Sequence, residues 1–159
     1  MALIKLNNQS LSNITSAGLP IRTGSVLQTV SGTNGSSSGS TTSSTLQATG
    51  CKVTITPSAT NSKIKVLGIL GYQNDSFNGG TYLKLYRKIG SGTATELLSY
   101  GSGLLEFSDS NHIDIGSYLY LDAPNTTSAV EYELYYGRYA AGTSYFFANG
   151  QIVAMEIAG

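Results

Sequence analysis

Apolar and polar residues alternate along most of this chain beyond residue 45. From Val130 to Tyr136 almost every second residue is apolar or aromatic, and residues 51–56 repeat the pattern. A period of two places successive side chains on opposite faces of a β-strand. The pattern, together with shorter apolar runs, predicts nine strands: 25–30, 51–56, 64–72, 82–87, 96–100, 113–121, 130–139, 145–147 and 151–157.

Turn-forming residues separate these strands, and no stretch of the sequence carries a convincing helical period. The turn Gly90-Ser91-Gly92 predicts a hairpin between 82–87 and 96–100. Many short strands joined by turns predict an all-β fold, a single antiparallel β-sandwich, with a jelly roll favoured. The residues expected to face inward are Val53, Ile55, Ile64, Val66, Leu83, Leu85, Leu134, Val153 and Met155.

The stretch 64–72 is apolar on both of its faces. Ile64, Val66 and Leu70 lie on one face, and Leu67 and Ile69 lie on the other. Strands covered on both sides carry such near-continuous apolar runs. The sequence therefore predicts a central strand that is buried on both sides.

Two segments show no sustained period. Residues 31–44 are a Gly, Ser and Thr tract, which predicts a flexible surface loop. Residues 1–23 predict an extended docking arm ahead of a sandwich domain over 24–159, and a disordered terminus is the alternative. Since apolar groups on an extended tail gain from burial against another chain, the contact residues expected in the arm are Leu3, Ile4, Leu6, Leu11 and Ile14.

The composition of the chain narrows its partners. Only 11% of the 159 residues are charged, nine basic residues offset nine acidic ones, and 22 Ser, 17 Thr and 19 Gly supply the polarity. Nucleic-acid and anionic-membrane binding rest on clustered basic residues, so neither partner is expected. The N-terminus resembles no secretory signal, and no apolar run is long enough to span a membrane. This composition is typical of a surface β protein, which we expect to be made in a cytoplasm and carried on a particle.

Candidate catalytic and metal-binding groups are few. One cysteine, Cys51, and one histidine, His112, leave no thiolate-rich metal site. The run Gly35 to Gly39 matches G-x-S-x-G, but it lacks the strand and helix that this motif requires. Residues 109–114 (Asp109 to Asp114) resemble a weak calcium loop without its glycine and glutamate, and a solvated loop is the simpler interpretation. We therefore expect no enzyme activity, no cofactor and no catalytic or metal-binding residue.

Eleven tyrosines and no tryptophan are the more informative feature. Tyrosine is enriched where protein surfaces meet, because its ring is large and rigid and its hydroxyl is polar. Alternation places several tyrosines on the faces away from the core, where we expect subunit or virion contacts; half-exposed strand residues or a glycan-stacking surface are the alternatives. These residues are Tyr82, Tyr86, Tyr118, Tyr120, Tyr135 and Tyr139.

Five stretches of the chain, taken together, resemble a family of small structural proteins of marine bacteriophages, cyanophages in particular, that are described as virion structural or tail-fibre-like. The middle of the chain, about 69–112, and Cys51 depart from the commoner pattern of that family. The stretches are MALIKLNNQSLSNITSAGLP (1–20), GSVLQTV (24–30), TSSTLQATGCKVTITPSATNSKIKVLG (42–68), LDAPNTTSAVEYELYY (121–136) and IVAMEIAG (152–159).

The resemblance implies a non-enzymatic part of a phage particle that is assembled in the host cytoplasm. Capsid decoration or cement leads, because the chain lacks the heptads, collagen repeats or β-helical repeats of a fibre shaft. The alternative is a tail-fibre or tail-adaptor module that contacts a host-surface glycan or protein, and a small glycan-processing enzyme is the third hypothesis. Expected partners are other capsid or tail proteins and further copies of this chain, with a homotrimer favoured by analogy with virion jelly rolls.

Overall fold

The computed structural model describes residues 22–98 and 112–159, which form ten strands and no helix. Within this part of the chain, no helix is long and apolar enough to cross a membrane. The strands are β1 (Val26–Thr33), β2 (Gly39–Thr41), β3 (Gln47–Ile55), β4 (Lys63–Asn74), β5 (Thr81–Ile89), β6 (Thr95–Leu98), β7 (His112–Asp122), β8 (Val130–Arg138), β9 (Ser144–Phe146) and β10 (Gln151–Ile157).

Eight of these strands form two antiparallel sheets in a jelly-roll order. Sheet A runs β1-β10-β4-β7, and the short strands β9 and β2 extend it beside the far end of β4. Sheet B runs β3-β8-β5-β6. The chain crosses between the sheets in the sequence that two nested Greek keys require. The all-β, antiparallel sandwich expected from the alternation is confirmed, as is the β5–β6 hairpin.

The core lies between the two sheets and is built from the alternate residues of each strand. Tyr72, Tyr132 and Ile152 are fully buried there. Each such side chain contributes roughly 1.5–3 kcal/mol by leaving water. Seven of the nine residues expected to face inward are buried, and they are Val53, Ile55, Ile64, Val66, Leu83, Leu85 and Leu134.

The other two expected core residues, Val153 and Met155, are a correction, because β10 has the opposite orientation. Ile152, Ala154 and Glu156 face inward instead, and all three are fully buried. Glu156 is accommodated because its Oε1 accepts hydrogen bonds from the Ser58 amide at 2.7 Å and from the Ser58 and Ser62 hydroxyls, both at 2.6 Å. A fully hydrogen-bonded carboxylate thus occupies a position that the hydrophobic pattern assigned to the surface.

The Gly, Ser and Thr tract over 31–44 is a second correction, since much of it is ordered backbone. β1 continues to Thr33, and β2 lies inside the tract, paired with β9. The side-chain amide of Asn34 donates to the carbonyl of Phe147 at 2.9 Å, which ties the tract to the end of β9. Main-chain pairing and side-chain amides hold this segment, so its lack of apolar side chains does not leave it a free loop.

Candidate functional site

The outer face of sheet A is an open apolar surface. We call it the apolar face; it consists of the outward side chains of β4, β7 and β10, with Ile69 47%, Ile113 62%, Ile115 68%, Leu119 60% and Leu121 56% exposed, and Leu67, Val153 and Met155 half-buried. The pairing register forms continuous rows across three strands, of which Val153–Leu67–Leu119 and Met155–Lys65–Leu121 are two. Monomeric proteins rarely expose contiguous apolar patches of this size without a use for them.

β4 produces this face because it is central within its sheet but not between layers. Its edges pair with β10 and β9 on one side and with β7 on the other. Its inner residues are buried, whereas Leu67 is half-buried and Ile69 is 47% exposed. The prediction that both sides of this strand are buried is therefore wrong. A two-layer sandwich covers one face of each sheet, and no described segment supplies a third layer here.

β7 has the reverse of the orientation expected from its tyrosines. Tyr118 is buried and Tyr120 packs against the core, while Leu119 and Leu121 point outward. Two inward residues set this orientation. A Cβ at Gly116 would come within 2.8 Å of Leu83, so only glycine fits there, and Asp122 is buried. The outward placement of Tyr118 and Tyr120 is thus wrong.

Asp122 joins the end of β7 to sheet B. Its carboxylate accepts two hydrogen bonds from Arg87 Nη1, at 2.8 and 3.0 Å, and one from the Tyr132 hydroxyl at 2.8 Å. Burial and the bond to Asp122 raise the pKa of Tyr132, so this phenol stays protonated as a donor. Leaving any one partner of such a buried set unpaired is costly. The cluster therefore fixes the register of β7 and with it the outward position of Leu119 and Leu121.

A groove of about 520 Å³ crosses the middle of the apolar face. Leu67, Ile69, Leu119 and Val153 form its apolar walls, and Ser117 and Gln151 are the polar side chains outermost in its lining. This lining contains no titratable side chain apart from the buried Tyr118. The groove is suited to receiving an apolar side chain and offers no nucleophile, acid or base within its walls.

The outer face of sheet B has a different character. Four tyrosines are half-buried there in two ring pairs: Tyr82 with Tyr139, centroids 5.3 Å apart and edge-on, and Tyr86 with Tyr135, centroids 4.5 Å apart. We call these four residues the tyrosine face. Their outward orientation was predicted correctly, and their contact role stays a prediction.

Ion pairs complete the tyrosine face. Lys84 Nζ lies 3.0 Å from Glu96 Oε2, and the Tyr86 hydroxyl donates to the same oxygen at 3.1 Å. Lys52 pairs with Glu131 at 3.0 Å. Burial, followed by the hydrogen bond to Glu96, raises the pKa of Tyr86, which therefore stays protonated at neutral pH. Polar groups on this sheet thus find partners within the chain.

The remaining candidates contribute little to a site. Leu3, Ile4, Leu6, Leu11 and Ile14 lie outside the described residues, as does most of the 109–114 run. Among described residues, no group of three or more His, Cys, Asp or Glu side chains could hold a metal ion. Cys51 is fully buried, and burial raises the pKa of its thiol to about 11. That thiol is protonated and inaccessible at neutral pH.

Comparison with known proteins finds similarity at the level of structure. No protein-family model and no curated protein matches the chain. Chains from infectious bursal disease virus share its fold: the Gt strain (TM-score 0.54) and the VP2 subviral particle (0.53) at 12% identity, each over 83% of this chain and 33% of the virus chain, and the Gx strain (0.56) at 12% identity over 83% and 32%. This chain therefore spans about one third of the length of those virus chains. Identity this low shows the fold alone, an antiparallel jelly-roll β-sandwich.

Proposed function

We propose that the protein is a non-enzymatic structural component of a bacteriophage virion, placed on the particle surface as a capsid decoration or cement protein. The phage assignment comes from the sequence resemblance. The jelly roll that this chain shares with chains of infectious bursal disease virus supports a place in a virus particle. Assembly would take place in the host cytoplasm.

The apolar face is the observation that carries this proposal. It has five side chains that are each 47–68% exposed, on a sheet that is otherwise well packed. A protein that acts alone in solution gains nothing from such a surface, since each exposed group forgoes roughly 1.5–3 kcal/mol available on burial. A protein that functions inside an assembly uses the same surface as a contact.

Counting copies per particle tests the proposal. Quantitative mass spectrometry of purified virions, normalised to the major shell protein, is expected to find on the order of hundreds of copies, because closed shells repeat their contacts by symmetry. A count of a few to a few tens would replace decoration with a tail position. Absence of the protein from purified particles would contradict the virion role altogether.

A tail-fibre or tail-adaptor module that contacts a host-surface glycan is the second candidate, and the tyrosine face favours it. Its ring pairs present aromatic surface beside Lys84 and Glu96, which can hydrogen-bond to hydroxyl groups. A glycan array probed with the full chain tests this candidate. Binding that falls about tenfold or more in Tyr82→Ser and Tyr135→Ser, and not in the matched exposed aromatic Phe77→Ser, would support it. No glycan binding by the unmodified chain would remove it.

A further inference from the structure

The apolar face has the shape of a surface that can pack against a copy of itself. Its groove lies at the rows of Leu67 and Ile69, and the next row outward carries Ile115, the most exposed side chain on the face. Ile115 pairs across the strand with Gly71, which has no side chain to flank it. A ridge and a groove therefore lie side by side on one surface.

A two-fold axis brings that ridge and that groove together. If the axis passes near Ser117, Ile115 of each copy lies over the groove of the other. Such an interface uses one patch twice, so each contact occurs in duplicate. Ser117 is small and exposed, which leaves room for two backbones to approach at the axis.

The charges of the face agree with this arrangement. Lys63 and Lys65 lie at one end of β4, and Gln73 and Ile113 form the row at the other end. The two-fold axis places the lysine end of one copy over the uncharged end of its mate, so the like charges stay apart. The chain as a whole has a formal net charge of zero, so two copies do not repel each other at long range.

The area of the face is sufficient for a specific contact. The described rows extend over eleven residues of β4 and across four strands, about 35 by 14 Å at the usual strand spacings. Its five most exposed side chains offer on the order of 500 Å² of apolar surface at roughly 100 Å² each. Stable interfaces bury about 800 Å² on each partner, including a polar rim, and Lys65, Gln73 and Gln151 lie where such a rim would be.

We propose that two copies of this chain pack their apolar faces together about a two-fold axis near Ser117, with Ile115 of each copy in the groove between Leu67, Ile69 and Leu119 of the other. The inference rests on the proposed role as an assembling structural protein and identifies its first contact. It replaces the homotrimer favoured by analogy with a pair, because a closed ring of three needs two different patches.

Sedimentation velocity of the full chain tests the pairing. The unmodified protein is expected to form a species of twice 16.7 kDa at micromolar concentration. Leu119→Glu places a carboxylate of each copy inside the apolar contact and is expected to weaken pairing at least about tenfold. Phe77→Glu is the matched control, because Phe77 is 61% exposed and lies in the turn between the two sheets; it should pair as the unmodified chain does.

Two further variants separate folding and other occupants from the proposal. Circular dichroism checks that Leu119→Glu keeps its β content, and Ile115→Lys replaces it if it does not. A full chain with Leu3→Ser, Ile4→Ser and Leu6→Ser should pair normally; loss of pairing there would assign the contact to the N-terminal residues and overturn the proposal. A monomer at all concentrations, a trimer, or undiminished pairing of Leu119→Glu would also overturn it. These results do not depend on the count of copies in virions, so the two proposals can fail separately.

Discussion

The outer faces of the two sheets meet solvent in different ways. On sheet B, the tyrosines pack ring against ring, and Lys84 and Lys52 find carboxylates at 3.0 Å, so the side chains satisfy one another within the chain. On sheet A, Ile115 and Leu119 are 68% and 60% exposed and have no such partners within the described residues. Two sheets that share one core thus present one face complete in itself and one that gains from a contact. The difference indicates which side of the sandwich assembles.

The largest expected effect separates the inside of the sandwich from its apolar face. Leu134→Ala removes a fully buried side chain of β8 and should lower the free energy of unfolding by about 2–5 kcal/mol, because it leaves a cavity. Leu119→Ala makes the same chemical change at an exposed position and should cost a monomer about 1 kcal/mol or less. Urea unfolding at submicromolar concentration measures both. Equal losses would mean that Leu119 is already covered within one chain.

A smaller effect concerns the carboxylate that orients β10. Burial alone would raise the pKa of Glu156, but hydrogen bonds from Ser58, Ser62 and Gln28 outweigh it and lower that pKa to about 2. Glu156→Gln places an amide donor against donors and should cost about 1–3 kcal/mol near pH 7.

The pH dependence of that loss gives a second readout. The folded pKa of Glu156 lies below its model value of 4.5, so between about pH 4.5 and 2 the unfolded chain binds more protons. The stabilisation is therefore complete above about pH 4.5 and is lost as the pH falls toward 2. Unfolding midpoints of the unmodified chain and Glu156→Gln should converge over that range, while the control Glu131→Gln keeps the slope of the unmodified chain. Midpoints that stay equally far apart down to pH 2 would contradict the assigned hydrogen bonds.

The smallest effect belongs to the surface of sheet B. Lys52 lies 3.0 Å from Glu131, and the lysine side chain is 51% exposed. Exposed pairs of this kind contribute about 0.2–1 kcal/mol and are screened by salt. Lys52→Ala should therefore lower the free energy of unfolding by less than about 1 kcal/mol at low salt and leave self-association unchanged. A large loss of pairing in this variant would move the contact to sheet B.

The strands were predictable from the sequence to the extent that their two faces differ in polarity. β3 and β8 alternate cleanly, and the inward positions of Val53 and Leu134 followed directly. The jelly roll was favoured on the number and spacing of strands, and the observed strand order agrees.

The orientation of β7 and β10 could not be predicted by that rule, because their inward faces carry polar or missing side chains. Glu156 and Asp122 are buried by hydrogen bonds to residues distant in sequence, and Gly116 faces inward to make room for Leu83. Their outward faces carry leucine, isoleucine and valine, which the rule assigned to the core. The same reversal concealed the apolar face: its residues were read as core or as spacers between tyrosines. An unusually apolar outer side of β4, β7 and β10 together was the available signal.

Cross-linking at the proposed two-fold axis tests the central claim most directly. Ser117→Cys places a thiol on the apolar face where two copies should meet, and Cys51 does not compete because it is fully buried, with its pKa raised to about 11. Thr54→Cys, exposed on β3 of sheet B, is the matched control. Under mild oxidation at micromolar concentration, Ser117→Cys should give a covalent pair of about twice 16.7 kDa on a non-reducing gel, and Thr54→Cys should stay a single chain. A Ser117→Cys chain that remains single, or a Thr54→Cys chain that cross-links as readily, would contradict the pairing of the apolar faces.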